Sequence, residues 1–490
     1  MGRSDVVIKN KNEAYVTVDC SEGISYELRE AFTFMVPGAQ FSPKFRAKLW
    51  DGKIRLFDSR TKQIYRGLTK HIESFCESRE YSFLYEDEEY DNEFSLKEAI
   101  DFAKYIGCKH EPRDYQTEAF VHAIRNKRSL LLSPTASGKS LIIYLILRYL
   151  HDQKHIRKSI IIVPTVSLVS QLATDFSDYG YDSDSFVHRI YSGQDKETDK
   201  PITIATWQSL YTLPKKFFES FETVIGDESH LFKAQSLTTI MTNLINAKYR
   251  IGTTGTLDGT KTNKLVLEGL FGPVKKVITT KELMNQKHIA NFTIKCLILK
   301  HPENICKAAK DFTYQQEIEY LVLNEARNKF ITNLALSLNG NTLTLYQYVD
   351  KHGKILYDII SKKITDDRKV FFIYGKTDVE IREETRKIVE NEKNAIIIAS
   401  YGVFSTGINI KNLHNIIFAS PSKSRIRNLQ SIGRGLRKSE TKDSAVLLDI
   451  ADDLSYKKHN NYTLKHFSHR VQIYSEERFK FKVYKIQLKG

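Results

Sequence analysis

Cysteine, long apolar runs and acidic residues are what this chain is short of. Its five cysteines, Cys20, Cys76, Cys108, Cys296 and Cys306, are scattered, odd in number and include no CxxC pair. That pattern excludes a disulfide framework and a cysteine-based zinc site, and it fits a reducing compartment. The greasiest stretch, 141–150, is ten residues long and contains Arg148, too short to span a bilayer. The N-terminus has no apolar targeting core, so a cytoplasmic protein with no membrane partner is expected. Glycine (23) and proline (10) are sparse in 490 residues, and no stretch rich in either marks a linker, so domain boundaries are soft. Acidic residues are outnumbered 59 to 74, a net charge of +15. Such a balance favours a polyanionic partner, with nucleic acid first. The apolar and charged fractions, 41% and 27%, are those of a folded globular chain of several domains.

The organising stretch is LLLSPTASGKSLIIY, residues 130–144. An apolar run reads as a buried strand, a small-residue loop follows, and Ser140 opens an apolar helix. Strand, loop, GKS and helix form the phosphate-binding pattern. Backbone N–H groups of the loop (Thr135, Ala136, Ser137, Gly138) and of the helix N-terminus converge on one spot and bind phosphate. Lys139 reaches the β- and γ-phosphates, and the Ser140 hydroxyl holds magnesium. Ser133 stands where the pattern has its first glycine.

Residues 1–105 read as a small α+β module. Within it, 44–70 carries nine basic and two acidic residues, and 73–101 carries two basic and eleven acidic. Lys44, Arg46, Lys48, Lys53 and Arg55 are interleaved with Phe45, Trp50 and Phe57. Such a face could grip a phosphate backbone and wedge against bases. The alternative is that its aromatics are core and its charges a solvated face.

From 111 onward strands alternate with helices. Strands are expected at 130–133, 159–163, 202–206, 223–227 and 250–254, with helices at 115–125, 140–151 and 167–177. A second series follows at 342–348, 370–374, 395–399, 415–419 and 445–450, preceded by a strand at 292–299 and one helix over 317–338. Each series is a doubly wound parallel α/β lobe. The expected domains are 1–105, 106–290, 291–450 and a basic segment 451–490, which carries nine basic and four acidic residues and reads as an amphipathic cap or a further backbone contact. Only the first lobe has a GKS, which suggests a nucleotide between two lobes.

Asp227-Glu228-Ser229-His230 follows an apolar strand. An acidic pair at the carboxyl end of a parallel strand sits where ligands bind. Asp227 is placed to hold magnesium and Glu228 to orient or deprotonate water. In 430–437, Gln430, Arg434 and Arg437 form a second cluster, with the arginines three apart and on one face if helical. A guanidinium on the γ-phosphate would act as an arginine finger. Arg113-Asp114-Tyr115-Gln116 precedes the phosphate loop, and Gln116 could read an adenine edge with Tyr115 or Arg113 packing nearby.

These elements resemble, in order, the motifs of superfamily 2 helicases of the DExH type: RDYQ, PTASGKS, Val163-Pro164-Thr165 with Leu168 and Gln171, Thr206-Trp207-Gln208-Ser209, DESH, Thr253-Thr254-Gly255-Thr256, SYGVFSTGIN at 400–409, and QSIGRGLR. The FSPKFRAKLWDGKIRL stretch at 41–56 brings the chain nearest to phage recombination helicases of the UvsW type. The resemblance implies two tandem RecA-like lobes, a cytoplasmic location in the phage-infected host, and ATP and magnesium as cofactors. It further implies a monomer that acts on branched or duplex DNA and on RNA–DNA hybrids, alongside recombination proteins. By carry-over, Thr165, Thr206, Thr406 and Gly407 touch the DNA backbone, Thr254 and Thr256 link nucleotide state to grip, and Gly407 and Asn409 lie near the ATP ribose or the lobe interface. The expected activity is fork regression, junction branch migration and R-loop unwinding. The rivals are an RNA helicase, a restriction-system motor, and a DNA-binding or strand-annealing protein with a vestigial ATPase.

Overall fold

The chain is described from a computed structural model, which covers residues 4–86, 93–191, 195–231, 234–257, 260–406, 410, 412–420, 424, 431–433 and 444–488. It divides into two compact units, 1–133 with 138–278, and 134–137 with 279–490.

The first unit holds a seven-stranded sheet in the order Val187–Ile190, Ile202–Thr206, Ser159–Val163, Thr223–Gly226, Tyr249–Thr254, Arg128–Leu132, Val274–Lys276. All its pairings are parallel. The central strands are buried on both faces, Ser159–Val163 without exception. That is why they read as continuous β-branched runs and not as alternating ones. Helix Lys139–Asp152 is apolar for the same reason, with Leu141–Leu147 wholly buried.

Residues 4–86 of this unit add a mixed five-stranded sheet, Phe57–Asp58, Gln63–Tyr65, Tyr15–Cys20, Val6–Asn10 and Phe83–Glu86. A two-stranded ribbon, Thr33–Met35 with Lys53–Arg55, packs Phe34 and Ile54 against the apolar core. The module is not a bead on a string. One buried apolar cluster runs from Val6, Val18 and Leu68 to Leu130, Leu267 and Phe271. The seam is close enough that a Cβ on Gly67 would lie 2.0 Å from the Glu268 carbonyl oxygen, so only glycine fits there. Phe57 belongs to this core and is 1% exposed. It is therefore not available to wedge against bases.

The second unit has its own seven-stranded all-parallel sheet. Its order is Val370–Ile373, Ile396–Ser400, Thr342–Tyr346, Asn415–Phe418, Ser444–Asp453, Asn291–Lys300, Lys480–Gln487. Two expectations differ here. The single helix over 317–338 is two, Tyr314–Leu323 and Glu325–Ser337. Asn324 between them leaves the helical region at ψ 115°, and its side chain caps the second helix by accepting from the Arg327 N–H. The basic tail is not merely a cap: after helix Tyr462–Glu476 it supplies strand Lys480–Gln487, paired in parallel with Asn291–Lys300. Lysines on an edge strand discourage unwanted pairing. No described helix is long and apolar enough to cross a membrane.

Candidate active site and nucleic-acid face

Five motif segments converge because five parallel strands end on the same edge of the first sheet. Leu132 leads into the phosphate loop, Val163 into Thr165, Ala205 into Thr206, Gly226 into Asp227, and Thr253 into Thr254. Side chains more than 100 residues apart in sequence are brought together by this register alone.

The phosphate loop is held in an uncommon backbone. Ala136 and Gly138 have φ of 68° and 77°, and the Ser137 hydroxyl donates to the Pro134 carbonyl at 2.7 Å. Gln116 sits directly against the loop, where a Cβ on Gly138 would come within 2.3 Å of Gln116 Nε2. Its amide is engaged at both ends: Oε1 accepts from the Arg113 N–H at 2.9 Å and Nε2 donates to the Gly138 carbonyl at 3.4 Å. Gln116 thus ties its helix start to the loop, and the Arg113 side chain donates to the Tyr115 hydroxyl at 2.8 Å.

Lys139 pairs with Glu228 at 3.1 Å and donates to the Ser133 carbonyl at 3.4 Å. Burial and the neighbouring Glu228 push the Asp227 carboxyl above its ordinary value. Burial also works to raise Glu228, but Lys139 and His230 outweigh it and hold that carboxyl low. Glu228 has φ of 50°, a left-handed backbone that a non-glycine residue keeps only where its surroundings impose it. Two carboxylates beside one lysine leave the pocket short of positive charge. That imbalance fits a magnesium ion at Asp227, since magnesium takes one or two protein carboxylates and fills its shell with water and phosphate oxygens. No cluster of three or more metal-ligating side chains occurs among the described residues, and magnesium bound in this way needs none.

Several contacts were not foreseeable from the motifs. Thr253 donates to Asp227 Oδ1 at 2.6 Å and fixes its orientation. His230 joins Thr254 through Nδ1 and lies 3.5 Å from Glu228, and Thr254 donates to the Thr256 carbonyl at 2.8 Å. The acidic pair is therefore wired to the next strand end. The Ser140 hydroxyl is hydrogen-bonded to the Tyr179 hydroxyl at 2.7 Å. Nothing in the sequence signals that partner, because Tyr179 lies at the far end of helix Val166–Asp178.

Among the residues expected at DNA, Thr165 is half-buried and caps that same helix. Thr206 is 3% exposed and its hydroxyl is shared with Ser209 at 2.9 Å. Thr406 ends the second-unit helix Tyr401–Thr406. Gly407, Asn409, Gln430, Arg434 and Arg437 lie outside the described residues.

In the N-terminal module Lys44, Arg46, Lys48, Lys53 and Arg55 are all exposed. They cluster between and along the ribbon strands, around helix Pro43–Arg46. Arg55 is paired with Asp51 at 2.5 Å, and the Trp50 indole donates to the Lys53 carbonyl at 2.9 Å. Phe45 and Trp50 are half-buried. Among the apolar groups that do project are Phe41, 71% exposed, and Leu49, 80% exposed. The sequence gives no sign of either, because an exposed leucine and phenylalanine look like any core residue in a string of letters.

Comparison with known proteins agrees with this geometry. Residues 5–86 match the N-terminal domain of DNA helicase UvsW, 109–259 the res subunit of type III restriction enzymes, and 326–439 the helicase conserved C-terminal domain. The chain is 35% identical over 97% of its length to the ATP-dependent DNA helicase uvsW of Enterobacteria phage T4, covering 98% of that protein. It is 26% identical over 70% of its length to the DNA 3'-5' translocase XPB2 of Sulfurisphaera tokodaii, covering 82% of it. The crystal structure of T4 UvsW superposes with a TM-score of 0.52 at 33% identity, over 99% of this chain and all of that one. With the motif edge, the N-terminal module and both lobes all matched, the chain belongs to the UvsW family of ATP-dependent DNA helicases.

Proposed function

We propose that this protein hydrolyses ATP with magnesium to translocate on DNA and remodel branched intermediates of recombination and repair, by fork regression, junction branch migration and removal of RNA from R-loops. The observation that carries the reading is the Lys139–Glu228 pair at 3.1 Å beside Asp227, at the strand edge that also ends in Thr165 and Thr206. Lys139 is shared between Glu228 and the nucleotide phosphates, so phosphate binding releases Glu228 to orient water. Asp227 and Ser140 would hold magnesium, whose chemistry there would be charge neutralisation at the phosphates. For Ser140 to join it, its hydroxyl must turn from Tyr179. Thr253 keeps Asp227 in place, and the His230–Thr254 contact carries the state of the acidic pair to the next strand end. Gln116 holds the loop from the adenine side, and Arg434 and Arg437 act as the fingers.

Branch migration forms one base pair for each one broken. A step that would cost roughly 1.4 kcal/mol in simple melting is therefore nearly balanced, and such a motor needs direction more than force. Sequence-independent grip by lysines, arginines and backbone suits that task. In the segment that joins the ribbon strands, Phe41 and Leu49 are the wedge, and Lys44, Arg46 and Lys48, with Lys53 on the ribbon, are the flanking grip.

The test is the ATPase rate at fixed salt with no nucleic acid, single-stranded DNA, blunt duplex, a fork, a four-way junction and an RNA duplex. Greatest stimulation by branched DNA supports the reading. Stimulation by RNA alone would move the protein to RNA metabolism, and no ATPase with any of them would favour an annealing protein.

A further inference from the structure

A second charge imbalance lies in the first unit, here an excess of positive charge, and the motor does not use it. Strand Arg128–Leu132 has the phosphate loop at its carboxyl end and Arg128 at its start. The two ends are separated by roughly 13 Å at about 3.3 Å per residue. At the Arg128 end, in the seam between the N-terminal module and the lobe, lies a cavity of about 320 Å³. Arg66, Lys70, Lys127, Arg128, Lys248 and Lys275 line it, and Glu13 is the one carboxylate among its described lining residues.

Glu13 cannot balance that set. Its carboxylate is shared by Arg66, at 2.8 Å, and Arg128. Arg128 Nη2 donates to both the carboxylate and the main-chain carbonyl of Glu13, while Arg128 Nη1 is buried with no hydrogen-bond partner among the described residues. A buried, charged donor without an acceptor is costly. Arg250, directly behind, offers no relief: it is itself a buried cation whose donors are taken by the carbonyls of Leu270, Leu244, Met241 and Glu13. The field is felt nearby. Burial, then Lys275 and Lys70, push the His122 imidazole on the cavity wall down to about 4, so it stays neutral where more positive charge would be unfavourable. Lys70, Lys248 and Lys275 remain exposed. They flank the opening as long, mobile cations do around phosphate.

We propose that this cavity is a phosphate-binding site, separate from the ATP cradle, that takes a backbone phosphate of a nucleic-acid strand. A neutral or cationic ligand would worsen the imbalance. A carboxylate has fewer acceptor oxygens for five or six converging donors than a phosphate has. In the full chain the site would give a branched substrate a hold apart from the motif edge, whichever branched DNA the motor prefers.

The test uses the full-length protein with Lys70, Lys248 and Lys275 all changed to Ala, three exposed positions outside the ATP site. Fork and junction affinities are measured across a salt series. Each phosphate that the protein no longer neutralises flattens the log–log slope by about 0.9. One backbone phosphate lost from the cavity therefore makes the slope shallower by about 1 unit, with ATPase on single-stranded DNA unchanged. A second arm measures the shift in unfolding temperature caused by pyrophosphate in a Lys139→Ala background, which removes the other phosphate cradle. A shift that the triple variant abolishes, with DNA slopes unaltered, supports the phosphate site and assigns it to a free anion. Unchanged DNA slopes together with no pyrophosphate shift would overturn the proposal. An ATPase that branched DNA fails to stimulate in the parent protein would instead count against the motor reading, so the two fail separately.

Discussion

Each unit buries an aspartate at the end of a parallel strand, and the two are treated oppositely. In the first, Asp227 accepts from Thr253 and from the Glu228 N–H. Lys139, the lysine beside the acidic pair, is engaged with Glu228, and burial with Glu228's charge pushes Asp227 up. In the second, Asp452 is wholly buried yet saturated. Arg327 Nε donates to both its oxygens at 2.9 and 3.0 Å, and His301 lies at 3.1 Å. Burial would raise its carboxyl, but Arg327 and His301 outweigh that and hold it low. Arg327 also donates to the Ala419 carbonyl at 2.7 Å, joining neighbouring strand ends. One fold thus carries a carboxylate that burial and a neighbouring charge disfavour and a carboxylate that an arginine and a histidine hold ionised. On the proposed function the first serves hydrolysis, whereas the second joins strand ends.

The same substitution in both places separates the two. Asp452→Asn strands Arg327 in the core and should cost about 3–5 kcal/mol, read as a lower denaturant midpoint. Asp227→Asn removes a carboxylate that burial disfavours. It should leave stability within about 1 kcal/mol of the parent, or raise it, while abolishing hydrolysis. Equal destabilisation by both would erase the contrast.

The pH dependence sharpens it. Asp227 has a raised folded value, so its protonated form favours the folded state, and its contribution is lost as pH rises above the ordinary carboxylate range. Asp452 has a lowered folded value, so its contribution is present above the ordinary carboxylate value and is lost as pH falls below it. Subtracting the Asp227→Asn stability profile from that of the parent should show the parent losing ground as pH rises toward neutral. A flat difference would mean Asp227 is not perturbed.

A smaller effect is expected at Thr253. A hydrogen bond to a charged group is worth about 1.5–3 kcal/mol, so Thr253→Val should lower kcat by about 10-fold or more with little change in KM for ATP. Replacing Lys44, Arg46, Lys48, Lys53 and Arg55 together by Ala should weaken fork binding and flatten its salt dependence, while ATPase without DNA is unchanged. An unaltered slope would remove the ribbon from the DNA path.

Much of this was legible in the residues, for physical reasons that also mark where it stopped. Strands Ser159–Val163 and Ile202–Thr206 fall where their β-branched runs place them, because a parallel sheet covered on both faces asks for nothing but apolar bulk. The placement of Asp227 at a strand end and of Lys139 after a loop was legible because both are local features. The Arg327–Asp452 pair spans 125 residues, and no periodicity announces it. Lys480–Gln487 carries lysines between apolar residues, a pattern that charge counting reads as a tail and the sheet uses as an edge. The break at Asn324 was hidden inside one apolar-periodic run. Engagement of Ser140 by Tyr179 depends on how two helices cross, which no spacing encodes.

Everything proposed for the motif edge requires Lys139 to serve hydrolysis and not merely the fold. The direct measurement is steady-state ATP hydrolysis by Lys139→Ala with saturating fork DNA, alongside fork affinity and the unfolding midpoint. Hydrolysis should fall by at least about 100-fold with affinity and midpoint close to the parent's. Hydrolysis at the parent's rate would contradict the assignment of the phosphate loop and the mechanism built on it.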